Sequence, residues 1–592
     1  MSAEKILEID EQLAIHNTKA RGGTLNGQNL RGLNSEQLAV YTIFATRAED
    51  IYRHNKTKLA PIREMMIGGP GMGKTFTTTL IEEKYELECR RAQAKMSSMI
   101  SAPMAVAAQL YATGSTIHTT YGITSDGQLL DLKGTARGAE TNERCVHNKL
   151  TIIDEISAMT ADLLKSLNKR VQLERQSNAL YGGIDAMLII GDFRQLPPGV
   201  GKGILPSLLR PKDDVERSLR GFHRTVLCQQ ERGRLDEWQV ELVGKYTNTT
   251  NTFYPLSDPS LLRSNCEHCD AAKQPTRQCR HYHVLSKEDI QRDPRWIDAS
   301  IININHDAAN AVGNAKTQIY AVFKGKPVLK WLLPSLTQKG KNFEVMESLD
   351  PAQAHHYNEL WGTYVEGLPV RITHNASLEA RVVNGTGSCT LIGIRPRDPE
   401  ALRRLLDTLD WVPGEVIIIP APICVTICCP SAMEPFNSSI TFMTDDSHGQ
   451  RRSKKVKLGK LCHDTRAVNV TVIGSGYEPA FSGTTYAFQG QTMSMAIADF
   501  NVHQGVKLTL NHVNVAGSRV TDSLNFRVMP WTVGTGKDHL HCLRYDDDYL
   551  QWVSAYDDHG MFQEKLVVPV LDHGPPKPVR PTRPLPSTKI SS

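Results

Sequence analysis

The chain has 592 residues, of which 40% are hydrophobic and 22% are charged, and its formal net charge is +5. These are ordinary globular values, and the length exceeds what one hydrophobic core supports, so several domains are expected. The small net charge does not by itself indicate nucleic acid as a partner. The start of the chain is polar and no apolar run approaches about 18 residues, which predicts a soluble, intracellular protein without a membrane partner.

Residues 1–32 are polar and predict a flexible lead-in. Strand and helix patterns then alternate over residues 33–212. Residues 150–153 and 187–190 are short continuous apolar runs, typical of strands buried on both faces of a parallel sheet. We therefore predict a doubly wound α/β domain whose ligand binds beyond the carboxyl ends of the strands.

A phosphate-binding loop with the pattern G-x-x-x-x-G-K-[ST] follows the apolar run at 65–67. Its backbone N–H groups would surround two phosphates, and its glycines permit backbone approaches that a Cβ would block. Lys74 is expected on the β- and γ-phosphates, and the Thr75 hydroxyl on Mg²⁺. The loop predicts binding of a nucleoside triphosphate, and the expected contacts are Gly68, Gly69, Pro70, Gly71, Met72, Gly73, Lys74, Thr75 and Phe76.

The two predicted strands at 150–153 and 187–190, which come after the strand that precedes the phosphate loop, are each followed by polar side chains that suit phosphoryl transfer. Asp154 would bind Mg²⁺ through its water shell, and Glu155 would orient and deprotonate the attacking water. Gln195 follows a third strand, where an amide can contact both the γ-phosphate and a neighbouring domain. Because these residues occur in this order after the phosphate loop, we predict hydrolysis of the nucleotide.

The rest of the chain predicts a second α/β domain in two parts, residues 213–380 and 479–558. Short β-rich runs over 381–478 indicate a small β-rich domain inserted between them. Residues 559–592 contain many prolines and basic residues, which favours an extended, disordered end.

The run G-D-F-R-Q-L-P-P at 191–198, after a phosphate loop and an Asp-Glu pair, resembles the Pif-type DNA helicases of superfamily one, in the 5′-to-3′ branch. The resemblance covers about residues 33–530 and implies two RecA-like domains with an SH3-like insertion. It implies that Gln37 contacts adenine, and that Arg232 and Arg519 reach the γ-phosphate from the second domain. Other similar stretches lie at 102–108, 116–118, 383–387 and 484–492, and the last two look most like helicase segments of Helitron-type transposons.

The resemblance implies ATP and Mg²⁺ as cofactors, single-stranded and forked DNA as partners, and a monomer that steps on one strand as its domains close. It also implies roles in DNA repair, recombination or telomere maintenance. Three departures concern DNA coupling: Met104-Ala105 replace a usual Thr-Gly, Tyr486-Ala487 replace His-Lys, and Gly517 replaces Leu. They leave two alternatives, a decayed nucleic-acid-binding remnant and a single-strand translocase that does not unwind.

Residues 115–148 contain four glycines among polar residues, which predicts a segment too irregular for another strand and helix. In the Pif-type family the equivalent segment carries a small wedge that meets the duplex at the fork. The resemblance therefore implies strand separation here, and the alternative is a surface loop without a function.

Two further clusters carry weaker signals. Cys266, Cys269, Cys279 and His281 have the residue types of a tetrahedral zinc site, although the last pair is unusually close, and the alternative is thiols and imidazoles in a polar loop. The basic run at 448–457 is typical of a nuclear localisation signal, a phosphate-contacting loop or a solvated loop. We expect the nucleus rather than the mitochondrion.

Overall fold

The computed structural model describes residues 32–56, 59–95, 98–229, 231, 236, 283–333, 335–339, 342–345, 360–377, 380, 382–430, 432, 439–443, 453–460, 467–501, 507–531, 543 and 546–567. These residues form two α/β domains with parallel sheets and a β-rich unit that lies between parts of the second domain in the sequence. The predicted combination of two RecA-like sheets is confirmed.

The first domain has a six-stranded parallel sheet in the order β3-β2-β4-β5-β1-β6. Its elements are α1 (Ser35–Tyr52), β1 (Ile62–Gly68), α2 (Lys74–Arg91), β2 (Ser98–Ala102), α3 (Ala105–Ala108), β3 (Ser115–Thr116), α4 (Ile117–Tyr121), α5 (Ala136–His147), β4 (Leu150–Ile153), α6 (Ala161–Glu174), β5 (Ala186–Gly191), α7 (Ile204–Leu209), α8 (Asp214–Ser218) and β6 (His223–Leu227).

Every residue of β4 and β5 is buried, because helices cover both faces of the sheet. Successive side chains point to opposite faces, so Ile189 joins one hydrophobic cluster and Ile190 joins another. The strand β6 pairs with β1, so residues 213–227 belong to the first domain. The predicted start of the second domain at 213 was therefore too early. The sequence did not indicate β6 because this edge strand has only its last residue buried and so lacks the apolar run of β4 and β5.

The predicted irregularity of residues 115–148 is wrong. β3 extends the sheet, and α5 is a helix of 12 residues whose buried side chains are Thr141 and Cys145. The guanidinium of Arg170 on α6 donates to the carbonyl oxygens of Tyr121, Gly122 and Leu130, which fixes the intervening turn to the domain.

The second domain begins with α9 (Lys287–Arg292), α10 (Arg295–Asp298), β7 (Ser300–Asn303) and α11 (His306–Lys324). The β-rich unit follows with β8 (Val328–Leu332), β9 (Ser335–Lys339), β10 (Asn342–Val345), β11 (Trp361–Tyr364), β12 (Pro369–Ile372), β13 (Cys389–Arg395), α12 (Pro399–Thr408), β14 (Val416–Ile418), β15 (Cys424–Cys428), β16 (Ser439–Met443), β17 (Ser453–Lys460), β18 (Ala467–Ile473) and β19 (Tyr477–Pro479).

The β-rich unit begins earlier than predicted. β12 joins the five-stranded sheet β16-β15-β13-β12-β19, and β8 pairs with β14, so strands before residue 381 belong to it. One hydrophobic cluster runs through the unit from Tyr320 to Phe481. The SH3-like character of this unit stays a prediction.

The second domain resumes with β20 (Ser482–Thr484), α13 (Thr485–Phe488), β21 (Ala496–Ala498), α14 (Leu510–Gly517) and β22 (Phe526–Val528). Its sheet has the order β20-β7-β21-β22, and all three pairings are parallel.

The last described segment, residues 546–567 with α15 (Asp547–Ser554), packs on α7 of the first domain. The Trp552 ring meets Phe193 edge-to-face with centroids 4.9 Å apart, and the Arg224 amide donates to the Gly560 carbonyl at 2.8 Å. The predicted assignment of residues up to 558 to the second domain is thus wrong for this segment. The prediction of disorder is wrong for residues 559–567, and residues 568–592 lie outside the described part.

Candidate nucleotide site and domain interface

The phosphate loop connects β1 to α2 and has the shape that a phosphate cradle requires. Gly71 and Gly73 have φ of 80°, a left-handed conformation that glycine adopts without strain. A Cβ on Gly73 would lie 2.2 Å from Nε2 of Gln37, and this Nε2 donates to the Met72 carbonyl at 3.0 Å. The fold thus brings Gln37, predicted from the resemblance as the adenine contact, to the loop.

Lys74 begins α2 at the centre of the site. Its Nζ donates to the carbonyl oxygens of Gly68 at 2.6 Å and Gly69 at 2.9 Å. Burial lowers its pKa, and the opposing negative charges belong to Asp192, Glu155 and Asp154. The ammonium is therefore close to three carboxylates, and it would itself bind the phosphates, whereas Mg²⁺ would bind a carboxylate. Thr75 and Phe76 follow in the first turn of α2, whose N-terminus favours an anion.

Asp154 follows β4 and accepts two hydrogen bonds. Its Oδ1 accepts from the amide of Glu155 at 2.7 Å, and its Oδ2 accepts from the Tyr111 hydroxyl at 2.6 Å. Burial raises the pKa of Asp154, against the Tyr111 bond and the Lys74 charge. Tyr111 is buried and was not predicted, because its spacing from Asp154 in the sequence carries no signal.

Glu155 has φ of 54° and ψ of 49°, a left-handed conformation that is uncommon and strained outside glycine. Its Oε2 is buried and has no hydrogen-bond partner among the described residues. Burial raises the pKa of Glu155 to about 7, the Asp154 charge adds to the rise, and Lys74 and Arg519 oppose it. A carboxylate with a free acceptor and a pKa near neutrality suits a general base.

The loop after β5 carries an ion pair, since Nε of Arg194 lies 2.9 Å from Oδ1 of Asp192. The Arg194 guanidinium lies over the phosphate loop, where Nη2 would be 2.6 Å from a Cβ on Gly69. Oε1 of Gln195 is buried without a hydrogen-bond partner in the described structure. Gln195 was predicted as a sensor, whereas Arg194 was part of the motif without an assigned role.

Arg519 follows α14 in the second domain and is buried. Its guanidinium donates to the carbonyl oxygens of Val515 at 2.7 Å, Gln491 at 2.9 Å and Phe488 at 3.1 Å. These bonds turn the side chain toward the second domain's own backbone, although its charge still lowers the pKa of Glu155.

Arg232 lies outside the described residues, so its role stays a prediction. Its neighbour Glu231 is described, and the Glu231 amide donates to the Gly71 carbonyl at 2.9 Å. The chain next to Arg232 is therefore at the phosphate loop.

Three of the stretches that are similar to Pif-type motifs, 102–108, 383–387 and 484–492, meet at one place. Gly385 has φ of 95°, and a Cβ there would lie 2.3 Å from Cγ2 of Val106 in the first domain. Nε2 of Gln491 in the second domain donates to the Gly385 carbonyl at 3.2 Å. The β-rich unit thus contacts both α/β domains here.

Among the departures from the family pattern, Met104 precedes α3, Tyr486 on α13 is 40% exposed, and Gly517 ends α14 in a buried position.

Asp154 and the Thr75 hydroxyl suit Mg²⁺, which combines one or two protein oxygens with waters and phosphates. The structure contains no cluster of three or more His, Cys, Asp or Glu side chains suited to a metal within its described ranges. The predicted zinc ligands Cys266, Cys269, Cys279 and His281 all lie outside those ranges. None of the described helices is both long and apolar enough to span a membrane.

The PIF1-like helicase family model matches residues 33–211. The ATP-dependent DNA helicase Pif1 of Psychrobacter sp. is 34% identical over 140 residues, 23% of this chain and 20% of that protein. The aligned region thus spans about a fifth of the relative's length. The crystal structure of Pif1 helicase from Candida albicans has a TM-score of 0.51 at 17% identity, covering 87% of this chain and 97% of that one. The crystal structure of Bacteroides Pif1 bound to single-stranded DNA has a TM-score of 0.50 at 16% identity, covering 90% of this chain and 98% of that one. The chain therefore carries a PIF1-like helicase domain at residues 33–211 and has the overall fold of the Pif1 helicases.

Proposed function

We propose that this protein is an ATP-dependent DNA helicase that moves along single-stranded DNA and separates duplexes. The observation that carries the proposal is the meeting of Lys74, Asp154 and Glu155 beneath the phosphate loop, directly at the contact between two RecA-like domains. A nucleotide bound there would touch both domains, so its hydrolysis can change how they are arranged.

The chemistry needs positioning and charge neutralisation more than covalent catalysis. Lys74 and the loop amides would hold the phosphates, and Asp154 with Thr75 would hold Mg²⁺, which neutralises the phosphate charge. Glu155 would accept the proton of the attacking water. Arg519, once freed from its backbone carbonyls, and Arg232 would stabilise the charge that develops on the γ-phosphate.

Coupling to DNA is supported by the junction of Val106, Gly385 and Gln491, which joins all three units on stretches that resemble Pif-type motifs. If nucleotide binding moves the second domain, this junction must move with it. Alternating grip by the two domains would then produce stepping, with 5′-to-3′ polarity expected from the resemblance. Phosphate contacts and base stacking would make the grip tolerant of sequence.

Steady-state ATP hydrolysis with and without single-stranded DNA tests the proposal. We expect DNA to accelerate turnover and Lys74→Ala to lower it by about 10²–10³-fold, the effect of removing one donor to a developing charge. Lys169→Ala, which removes an exposed lysine on α6, is the matched control. Undiminished hydrolysis by Lys74→Ala would overturn the proposed site. ATP hydrolysis whose rate is not increased by single-stranded DNA would instead favour the alternative of a decayed nucleic-acid-binding remnant.

We also propose a nuclear location, supported by the basic run at 448–457, with roles in DNA repair, recombination or telomere maintenance. Microscopy of the tagged chain with and without substitution of that run tests the location.

Metal analysis of the purified protein, compared with Cys266→Ser, tests the predicted zinc site.

A further inference from the structure

Helix α14 of the second domain presents two asparagines to the loop that follows β5 in the first domain. Nδ2 of Asn511 donates to the Gln195 carbonyl at 2.6 Å, and Nδ2 of Asn514 donates to the Arg194 carbonyl at 3.3 Å. Residues three apart lie on the same face of a helix, so both amides face one target. Both contacts are directional hydrogen bonds between the two domains.

The contacted loop is part of the nucleotide site. Arg194 lies over Gly69 of the phosphate loop, and the buried Oε1 of Gln195 has no hydrogen-bond partner in the described part of the chain. A change in what these side chains bind would shift the backbone that carries them. The carbonyl oxygens that Asn511 and Asn514 hold belong to that backbone.

The same helix is tied to the stretch at 484–492. Arg519, just beyond the end of α14, donates to the carbonyl oxygens of Phe488 and Gln491. Gln491 in turn donates to Gly385 of the β-rich unit. Since Leu510 and Val513 of α14 pack in the same hydrophobic cluster as Phe193, the helix can follow the loop as a rigid body.

We propose that Asn511 and Asn514 are positioning residues that transmit the nucleotide state from the 193–195 loop to α14, and so govern whether Arg519 stays bound to the stretch at 484–492 or turns to the γ-phosphate. The inference rests on the proposed function, which it deepens by naming the contact that links the two domains. Neither asparagine is assigned a contact with the nucleotide.

Hydrogen–deuterium exchange with a non-hydrolysable ATP analogue tests the proposal without requiring turnover. In the wild-type protein we expect the analogue to slow exchange in residues 68–75 and in α14. In the double variant Asn511→Asp/Asn514→Asp, protection of 68–75 should persist, whereas protection of α14 should be lost. Aspartate keeps the size of asparagine, but it has no hydrogen to donate and its charge repels the carbonyl oxygens.

Asn178→Asp, a change of the same kind at an exposed position, should behave as wild type. The single variant Asn511→Gln keeps a side-chain amide donor, so it should retain part of the α14 protection that the double aspartate variant loses. Full α14 protection in the double variant would overturn the inference. Absence of protection at 68–75 in the wild type would instead contradict the proposed nucleotide site. Failure of the site and failure of the asparagine inference are therefore distinguishable.

A double-mutant cycle in DNA-stimulated turnover gives a second test. Coupling between sites typically changes binding affinity by about 5–150-fold, so nucleotide should strengthen single-stranded DNA binding less in the asparagine variant, and DNA stimulation of turnover should fall. If Gln195 and Asn511 act in one pathway, Gln195→Ala should add little to the loss caused by Asn511→Asp. Additive losses would contradict a shared pathway.

Discussion

The Tyr111 hydroxyl donates to Oδ2 of Asp154 at 2.6 Å, in a buried pair. This bond holds the carboxylate that we expect to bind Mg²⁺, so Tyr111 orients a ligand without being one. Metal sites commonly depend on such outer partners.

Tyr111→Phe should therefore raise the Mg²⁺ concentration that gives half-maximal ATP hydrolysis. A hydrogen bond to a charged group contributes about 1.5–3 kcal/mol, so a shift of roughly tenfold or more is expected. The control is Tyr85→Phe, which removes a buried hydroxyl that has no hydrogen-bond partner in the described structure. An unchanged Mg²⁺ requirement in Tyr111→Phe would separate this tyrosine from the metal site.

Glu155→Gln should bind ATP and lose most of its turnover, because glutamine keeps the shape but cannot accept the proton of water. General base catalysis contributes about 10²–10⁴-fold, which sets the expected loss. Fluorescent-nucleotide binding and steady-state hydrolysis measure the two properties separately. Hydrolysis at the wild-type rate would remove Glu155 from its proposed role.

The pKa of Glu155, raised to about 7 mainly by burial, gives the pH dependence a sign. The base is active as the carboxylate, whose population increases as pH rises through that pKa. Below about pH 7, kcat/KM should thus increase nearly tenfold per pH unit and then level off. Glu155→Gln is the control, because ATP itself titrates equally with both proteins. A wild-type profile that matches the variant's in shape would contradict the assignment.

The turn at 124–128, whose tip Ser125-Asp126 is exposed, is the part of the proposed wedge that can be shortened without removing core residues. Deleting Ser125 and Asp126 should lower duplex unwinding and leave DNA-stimulated ATP hydrolysis near wild type, because neither residue belongs to the phosphate site. Replacing Ser177-Asn178 by Gly-Gly in the turn after α6 is the control. Full-rate unwinding by the shortened protein would place the wedge elsewhere.

The parts of the site that the sequence predicted are local. The phosphate loop, Asp154, Glu155 and Gln195 each follow a buried strand, so the apolar runs locate them at one edge of the sheet. The fold's two parallel sheets followed from the same periodicity together with the resemblance.

The residues that were missed depend on contacts between distant parts of the chain. Tyr111 is 43 residues from Asp154, and Asn511 is 316 residues from Gln195, so no spacing rule connects them. The packing of Trp552 on Phe193 likewise has no local signal. Helix α5 is different, because its buried residues Thr141 and Cys145 are four apart, a helical spacing that its charged residues obscured.

Strand separation on tailed duplexes tests the central claim most directly. With ATP and Mg²⁺, the protein should unwind a duplex that carries a 5′ single-stranded tail, and it should fail on the same duplex with a 3′ tail, with a blunt end, or with Lys74→Ala. Hydrolysis of ATP on single-stranded DNA without separation of any of these duplexes would contradict the helicase account and leave a translocase.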